Sequence, residues 1–131
     1  MNIVIGFFIS IIIFTINAQC LTLDDFKVTK INVDGRELMV AVADSQSKKE
    51  QGLSGTEIAD LKRRFLDGML FVFDNDEERY FQAWYMRYDL MLLSLEKISK
   101  NKYTVRERKP LRISTTEKIK GKYILEIPLA R

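Results

Sequence analysis

A chain of 131 residues makes one domain and is too short for two ordinary ones. It contains no histidine, which removes Ser-His-Asp and Cys-His catalysis, the usual zinc sites and the commonest general base at neutral pH. The net charge is only +3, and the 21 basic and 18 acidic side chains are interspersed, not gathered into a basic stripe, so no nucleic-acid partner is expected.

Every charged side chain lies beyond residue 20. From Ile3 to Ala18 the chain is almost wholly apolar, with Ser10, Thr15 and Asn17 as its polar interruptions. That length is short for a bilayer span, which needs about 20 residues. It reads as the core of a signal peptide, with Ala18 and Cys20 as small residues where a peptidase cuts. An uncleaved anchor is the alternative. The chain therefore divides into residues 1–20, a signal peptide or N-terminal anchor, and residues 21–131, a single β-rich domain. The expected location is extracytoplasmic, periplasmic or secreted, with membrane contact only through the N-terminal segment. Cys20 is the sole cysteine, so no intrachain disulfide can form. Lipidation of Cys20 would want a small residue before it and an aliphatic one three before, where Gln19 and Asn17 stand.

Residues 26–43 read as a hairpin around Asp34-Gly35, a dipeptide that tolerates positive φ. The return strand, Glu37 to Ala43, is apolar on both faces and should sit centrally. A short helix is predicted over Ser45–Gln51, with Ser47 and Glu50 as a capping box and Gly52 at its end. A second helical turn is predicted near Glu57–Phe65. Met69 to Phe73 has strand length and no polar face, so it reads as a buried strand. The acidic stretch Asp74–Glu78 lacks the glycine and terminal glutamate of a calcium loop and is predicted to be a solvated hairpin turn. An aromatic strand, Tyr80–Met86, and a buried one, Leu90–Leu95, follow. After a turn at Lys100-Asn101 comes a half-exposed strand around Tyr103 and Val105, and Tyr123, Leu125 and Ile127 mark one face of the last. About seven strands and one or two short helices predict a mainly β (α+β) domain, a small twisted sheet or barrel.

Gly52-Leu53-Ser54-Gly55 is too short for a phosphate loop and lacks its lysine. No cofactor, metal or catalytic residue is assigned. Paired carboxylates could still act as acid and base, and Asp60, Asp67 and Asp89 are candidates by position only. In a strand, Trp84 and Tyr88 would share one face and Tyr85 the other. Exposed, such aromatics would suit a sugar ring or a hydrophobic partner; buried, they would fill the core.

Four segments occur in a familiar order: Val42-Ala43-Asp44, Gln51-Gly52-Leu53, Gly68-Met69-Leu70-Phe71-Val72-Phe73 and Tyr85-Met86-Arg87. Over about residues 31–130 the chain resembles domain of unknown function family 192, also called uncharacterised protein family 0127, as a divergent and C-terminally short member. The resemblance implies a compact β-rich fold, often behind a signal peptide, and no established activity. Against the family pattern, Trp84 is displaced by one residue, Arg87 replaces Lys, Tyr88 replaces Asn, Leu92 replaces Pro and Ser94 replaces Asp. The short C-terminus implies that a closing strand is missing.

Together these features make the expected function a non-catalytic ligand-binding or interaction protein of the cell envelope. Its candidate binding residues are Trp84, Tyr85, Arg87, Tyr88 and Asp89, and its partner a saccharide or an envelope protein. The alternatives are a carboxylate-dependent enzyme acting on an envelope polysaccharide and a membrane-tethered structural factor.

Overall fold

The structure, a computed structural model, describes residues 21–129. The apolar N-terminal segment, with its reading as signal peptide or anchor, lies outside the described residues. Among the described residues no helix is long and apolar enough to cross a membrane.

Strand β1 (Lys27–Val33) turns into β2 (Arg36–Ala43) at Asp34-Gly35. Both turn residues have positive φ, 51° and 86°, the conformation a two-residue hairpin needs to match the twist of its strands. The Asp34 carboxylate accepts hydrogen bonds from Thr104 Oγ1 at 2.6 Å and the Val105 backbone N–H at 3.3 Å. Those two bonds hold its pKa below the usual carboxylate value and pin the hairpin tip across the barrel seam.

Strands β2 and β3 (Gly68–Gln82) pair in parallel, so the chain must cross over between them. The crossover carries α1 (Gln46–Gln51) and α2 (Ile58–Arg63). Ser45 caps α1, its hydroxyl accepting from the Lys48 N–H at 3.3 Å, and Gly52 ends the helix at φ 51°. Capping therefore falls on Ser45, not on Ser47, which lies inside the helix with its hydroxyl 3.4 Å from that of Ser45.

Strands β4 (Leu90–Ser99), β5 (Lys102–Leu111) and β6 (Thr116–Pro128) complete a closed ring in the order β1-β2-β3-β6-β4-β5. The β1–β5 seam is parallel and short, Asn32 opposite Lys102 and Val33 opposite Tyr103. No further strand is needed to close it. β6 is paired on both sides, by β3 and β4, and the closing-strand deficit inferred from the C-terminus does not arise.

Among the described residues the strand count is six, not seven, because Asp74–Glu78 is no hairpin turn. It lies inside β3, which runs along β6 on both sides of a register shift between Val72 and Glu77. Residues 73–76 stand opposite Lys122 alone, a bulge that pushes the acids outward without reversing the chain. Two arginines hold it. Arg106 donates to both Asp76 oxygens, at 2.7 and 3.2 Å, and to the Lys120 carbonyl at 3.1 Å. Arg79 donates to the Asn75 carbonyl and side chain at 2.7 and 2.6 Å. Local composition shows the acids but not the arginines that fold against them.

Alternate residues build two cores. Ile31, Val33, Leu38, Val40, Leu70, Leu93, Leu95, Tyr103 and Leu125 come from all six strands and fill the ring. The other faces of β2, β3, β4 and β6 carry Ala41, Met69, Phe71, Leu90, Leu92 and Ile124, which pack with Leu53, Leu61 and Leu66 of the crossover. Burial on both faces is why these strands read as unbroken apolar runs.

Candidate functional site

Strand β3 stops at Gln82, and residues 83–89 form an ordered loop where a strand was predicted. The Ala83 N–H donates to the Thr115 carbonyl at 2.9 Å, and the Ser114 N–H to the Ala83 carbonyl at 2.8 Å. The Gly55 N–H donates to the Tyr85 carbonyl at 3.2 Å, tying the loop to the crossover. In this loop the strand rule for facing does not hold. Trp84 and Tyr85 are both exposed, 57% and 79%, whereas Tyr88 and Asp89 are buried.

The loop thus separates the five predicted residues. Tyr85 and Arg87, with Gly55, Met86 and Ile113, line an open depression of about 550 Å³. The Arg87 Nε lies 3.1 Å from Glu57 Oε2, and both side chains are more than half exposed. Trp84 is exposed on the same loop but is not part of the lining.

Asp89 faces inward and is already engaged. Its carboxylate accepts from the Ile113 N–H at 2.8 Å and Arg112 Nη1 at 3.0 Å, and its carbonyl accepts from the Leu129 N–H at 2.9 Å. Asp67 accepts from the Met39 N–H at 2.9 Å, and Asp60 from the Glu57 N–H at 3.4 Å. All three carboxylates carry local structure. Asp89→Ala should therefore lower stability by about 2 kcal/mol, because the Ile113 N–H and the Arg112 guanidinium lose a charged acceptor. Chemical denaturation of both proteins measures that difference.

A residue the sequence reading passed over, Glu126, is the most unusual group in the domain. It pairs across the sheet with Met69 and Leu92, faces the second core, and is 4% exposed. Among the described residues its Oε1 has no hydrogen-bond partner, and neither does the buried Tyr88 hydroxyl. Burial raises the Glu126 pKa to about 8. Burial first and the Glu126 charge second raise the Tyr88 phenol far above its ordinary value. The signal was a lone acid between Leu125 and Ile127 in a run buried on both faces.

Among the described residues no group of three His, Cys, Asp or Glu side chains is placed to hold a metal ion. The family model DUF192, described as Uncharacterized ACR, matches residues 29–130. The chain belongs to this family. Two solved structures share the fold. One, from Sinorhizobium meliloti 1021 and provisionally described as a transcription regulator, is 24% identical, with a TM-score of 0.52 over 77% of this chain and 78% of its own. The other, a protein of unknown function from Novosphingobium aromaticivorans DSM 12444, is 14% identical, with a TM-score of 0.54 over 79% of this chain and 73% of its own. A search of the curated proteins finds no match.

Within this DUF192 chain two of the motif segments, those of Gly52 and Gly68, come near Glu126. A methyl group placed on Gly52 would lie 3.2 Å from Phe71 Cζ and 3.7 Å from Glu126 Oε1. One placed on Gly68 would lie 2.2 Å from the Glu126 carbonyl oxygen. Gly68 gives room to the Glu126 backbone, whereas Gly52 gives room to the Phe71 ring. The replaced positions are also accounted for. Ser94, at the expected acid, is buried and donates to the Lys120 carbonyl at 2.5 Å beside the β3 bulge.

Proposed function

We propose that this protein is a non-catalytic binding domain of the cell envelope, exported behind its apolar N-terminus, that takes an acidic saccharide at the 83–89 loop. The observation that carries the reading is the open depression in which Tyr85 and Arg87 stand together beside Gly55. An exposed tyrosine presents an apolar face to a sugar ring, and an arginine fork matches a carboxylate. The Arg87–Glu57 pair is solvent-exposed and contributes at most about 1 kcal/mol, so a ligand carboxylate can take the place of Glu57. Trp84, exposed next to this surface, extends it.

The test is a thermal melt of the protein with neutral and acidic cell-wall saccharides. An acidic saccharide should raise the midpoint, since a ligand that binds only the folded state stabilises it. Tyr85→Ala and Arg87→Ala should each abolish the rise and leave the unliganded midpoint within about 2 °C, as expected for exposed side chains. A rise that survives both substitutions, or no rise with any saccharide, would sink the reading. Turnover of a polysaccharide would favour the enzyme instead. Fractionation of cells tests the export half separately.

A further inference from the structure

The barrel does not close along its whole length. Strand β1 pairs with β5 only at Asn32 and Val33, and from Ile31 back to Lys27 it has no neighbour on that side among the described residues. Where the two strands splay, a cavity of about 230 Å³ opens at the edge of the core that fills the ring. Its apolar lining is Ile31, Val42, Leu70 and Val72, on the inward face of β1, β2 and β3. Tyr103 and Tyr123 add two rings in edge contact, with centroids 5.3 Å apart. Its charged lining residues are Lys27 and Lys97, and no Asp or Glu lines the cavity. Lys97 Nζ sits 5.7 Å from the Tyr123 ring centroid, against the cavity wall. Neither lysine forms an ion pair among the described residues.

We propose that this cavity is a second binding site, independent of the 83–89 loop, for a small carboxylate with an unbranched apolar tail. Its floor takes the hydrocarbon and its two unpaired lysines take the charge. The size sets the tail. The cavity lies below the roughly 300–1,000 Å³ of drug-sized pockets. It equals about seven or eight water volumes at roughly 30 Å³ each. An eight-carbon acid fills such a space and a longer one protrudes from it. The uncompensated positive charge at the mouth selects sign as well as shape.

The full chain is titrated by calorimetry with butanoate, hexanoate and octanoate, and with octanol and octylammonium below their aggregation limits. Affinity should rise about three- to fourfold per added methylene up to octanoate, the increment for burying a CH₂, and then level off. Octanol and octylammonium should bind at least about tenfold more weakly, and higher salt should weaken octanoate alone. The double variant Lys27→Met/Lys97→Met should bring octanoate down to the octanol value at an unchanged midpoint. The proposal is overturned if octanoate does not saturate, or if octylammonium matches it. Octanoate binding that the double variant leaves intact overturns it equally. The comparison among ligands needs no variant, so a variant that misfolds leaves the test standing.

Discussion

Gly68→Ala is expected to lower the thermal midpoint by about 10 °C or more, the largest effect of any single methyl group in this domain. Gly68 is the first residue of β3, paired with Val40 of β2 and next to the Met69–Glu126 pair. A Cβ there would stand 2.2 Å from the Glu126 carbonyl oxygen, 3.2 Å from the carbonyl carbon and 3.3 Å from Ile127 Cγ1. The nearest two obstacles are backbone, held in a β-ladder, and no rotamer change can move them. Overpacking a core commonly costs about 1–3 kcal/mol, and a clash between two paired strands belongs at the upper end. For a domain of about 100 residues each kcal/mol shifts the midpoint by roughly 4–8 °C. Gly55→Ala is the control. Gly55 has φ 75° but open space around it, so its substitution meets only backbone strain, about 1 kcal/mol. If Gly68→Ala melts no lower than Gly55→Ala, the close approach of β3 and β6 is not a feature of the protein in solution.

What the sequence disclosed and what it concealed follow the range of the interactions. The Asp34-Gly35 hairpin, the glycine end of α1 and the doubly buried β2, β3 and β4 runs were legible. A two-residue turn, a helix cap and an apolar stretch are all decided by neighbours along the chain. The β3 bulge was not legible. Five consecutive acids and amides look like a turn until Arg106, thirty residues on, binds Asp76 and turns the stretch into strand. The 83–89 loop was hidden for the same reason, because its path is set by hydrogen bonds to Gly55, Ser114 and Thr115 from two other elements. The candidate site was half legible. Tyr85 and Arg87 reach one surface, yet Asp89 is bound to Ile113 and Arg112, and Tyr88 faces a glutamate 38 positions later. The motif glycines could be recognised from sequence, but not that Gly68 makes room for the Glu126 backbone and Gly52 for the Phe71 ring.

Glu126 is expected to make the protein lose stability as pH rises from 5 to 8.5. Its pKa in the folded state is about 8, against 4.5 for an ordinary glutamate, with burial as the cause. Between those values the folded chain keeps a proton that the unfolded chain releases, so stability must fall with rising pH. The contribution is complete below about pH 4.5 and gone above about pH 8. At about 1.4 kcal/mol per pH unit it amounts to something on the order of 5 kcal/mol. Asp34, Asp60 and Asp76 have lowered pKa values and act in the opposite sense, but in a window below the ordinary carboxylate range. The interval from pH 5 to 8.5 lies above that window; Lys49, whose pKa burial lowers, opposes Glu126 from the alkaline side, and the difference between the parent and Glu126→Gln isolates the glutamate. Tyr88, which faces it, stays protonated throughout, since burial and the glutamate both oppose its ionisation. Glu126→Gln, which cannot ionise, should match the parent near pH 5, exceed it at pH 8.5 and show no slope between. Glu126→Leu should do the same, because it removes a buried oxygen that has no partner. Denaturant melts across that pH range measure all three proteins, and a parent curve that is flat would show the carboxyl to be hydrated or paired in solution. The effect reaches the surface, because the chain leaves α1 at Gly52, beside Glu126, and three residues later Gly55 lines the Tyr85–Arg87 depression. Charging Glu126 loosens the support of that rim, so any ligand held there should bind more weakly at pH 8.5 than at pH 6, and the difference should vanish in Glu126→Gln.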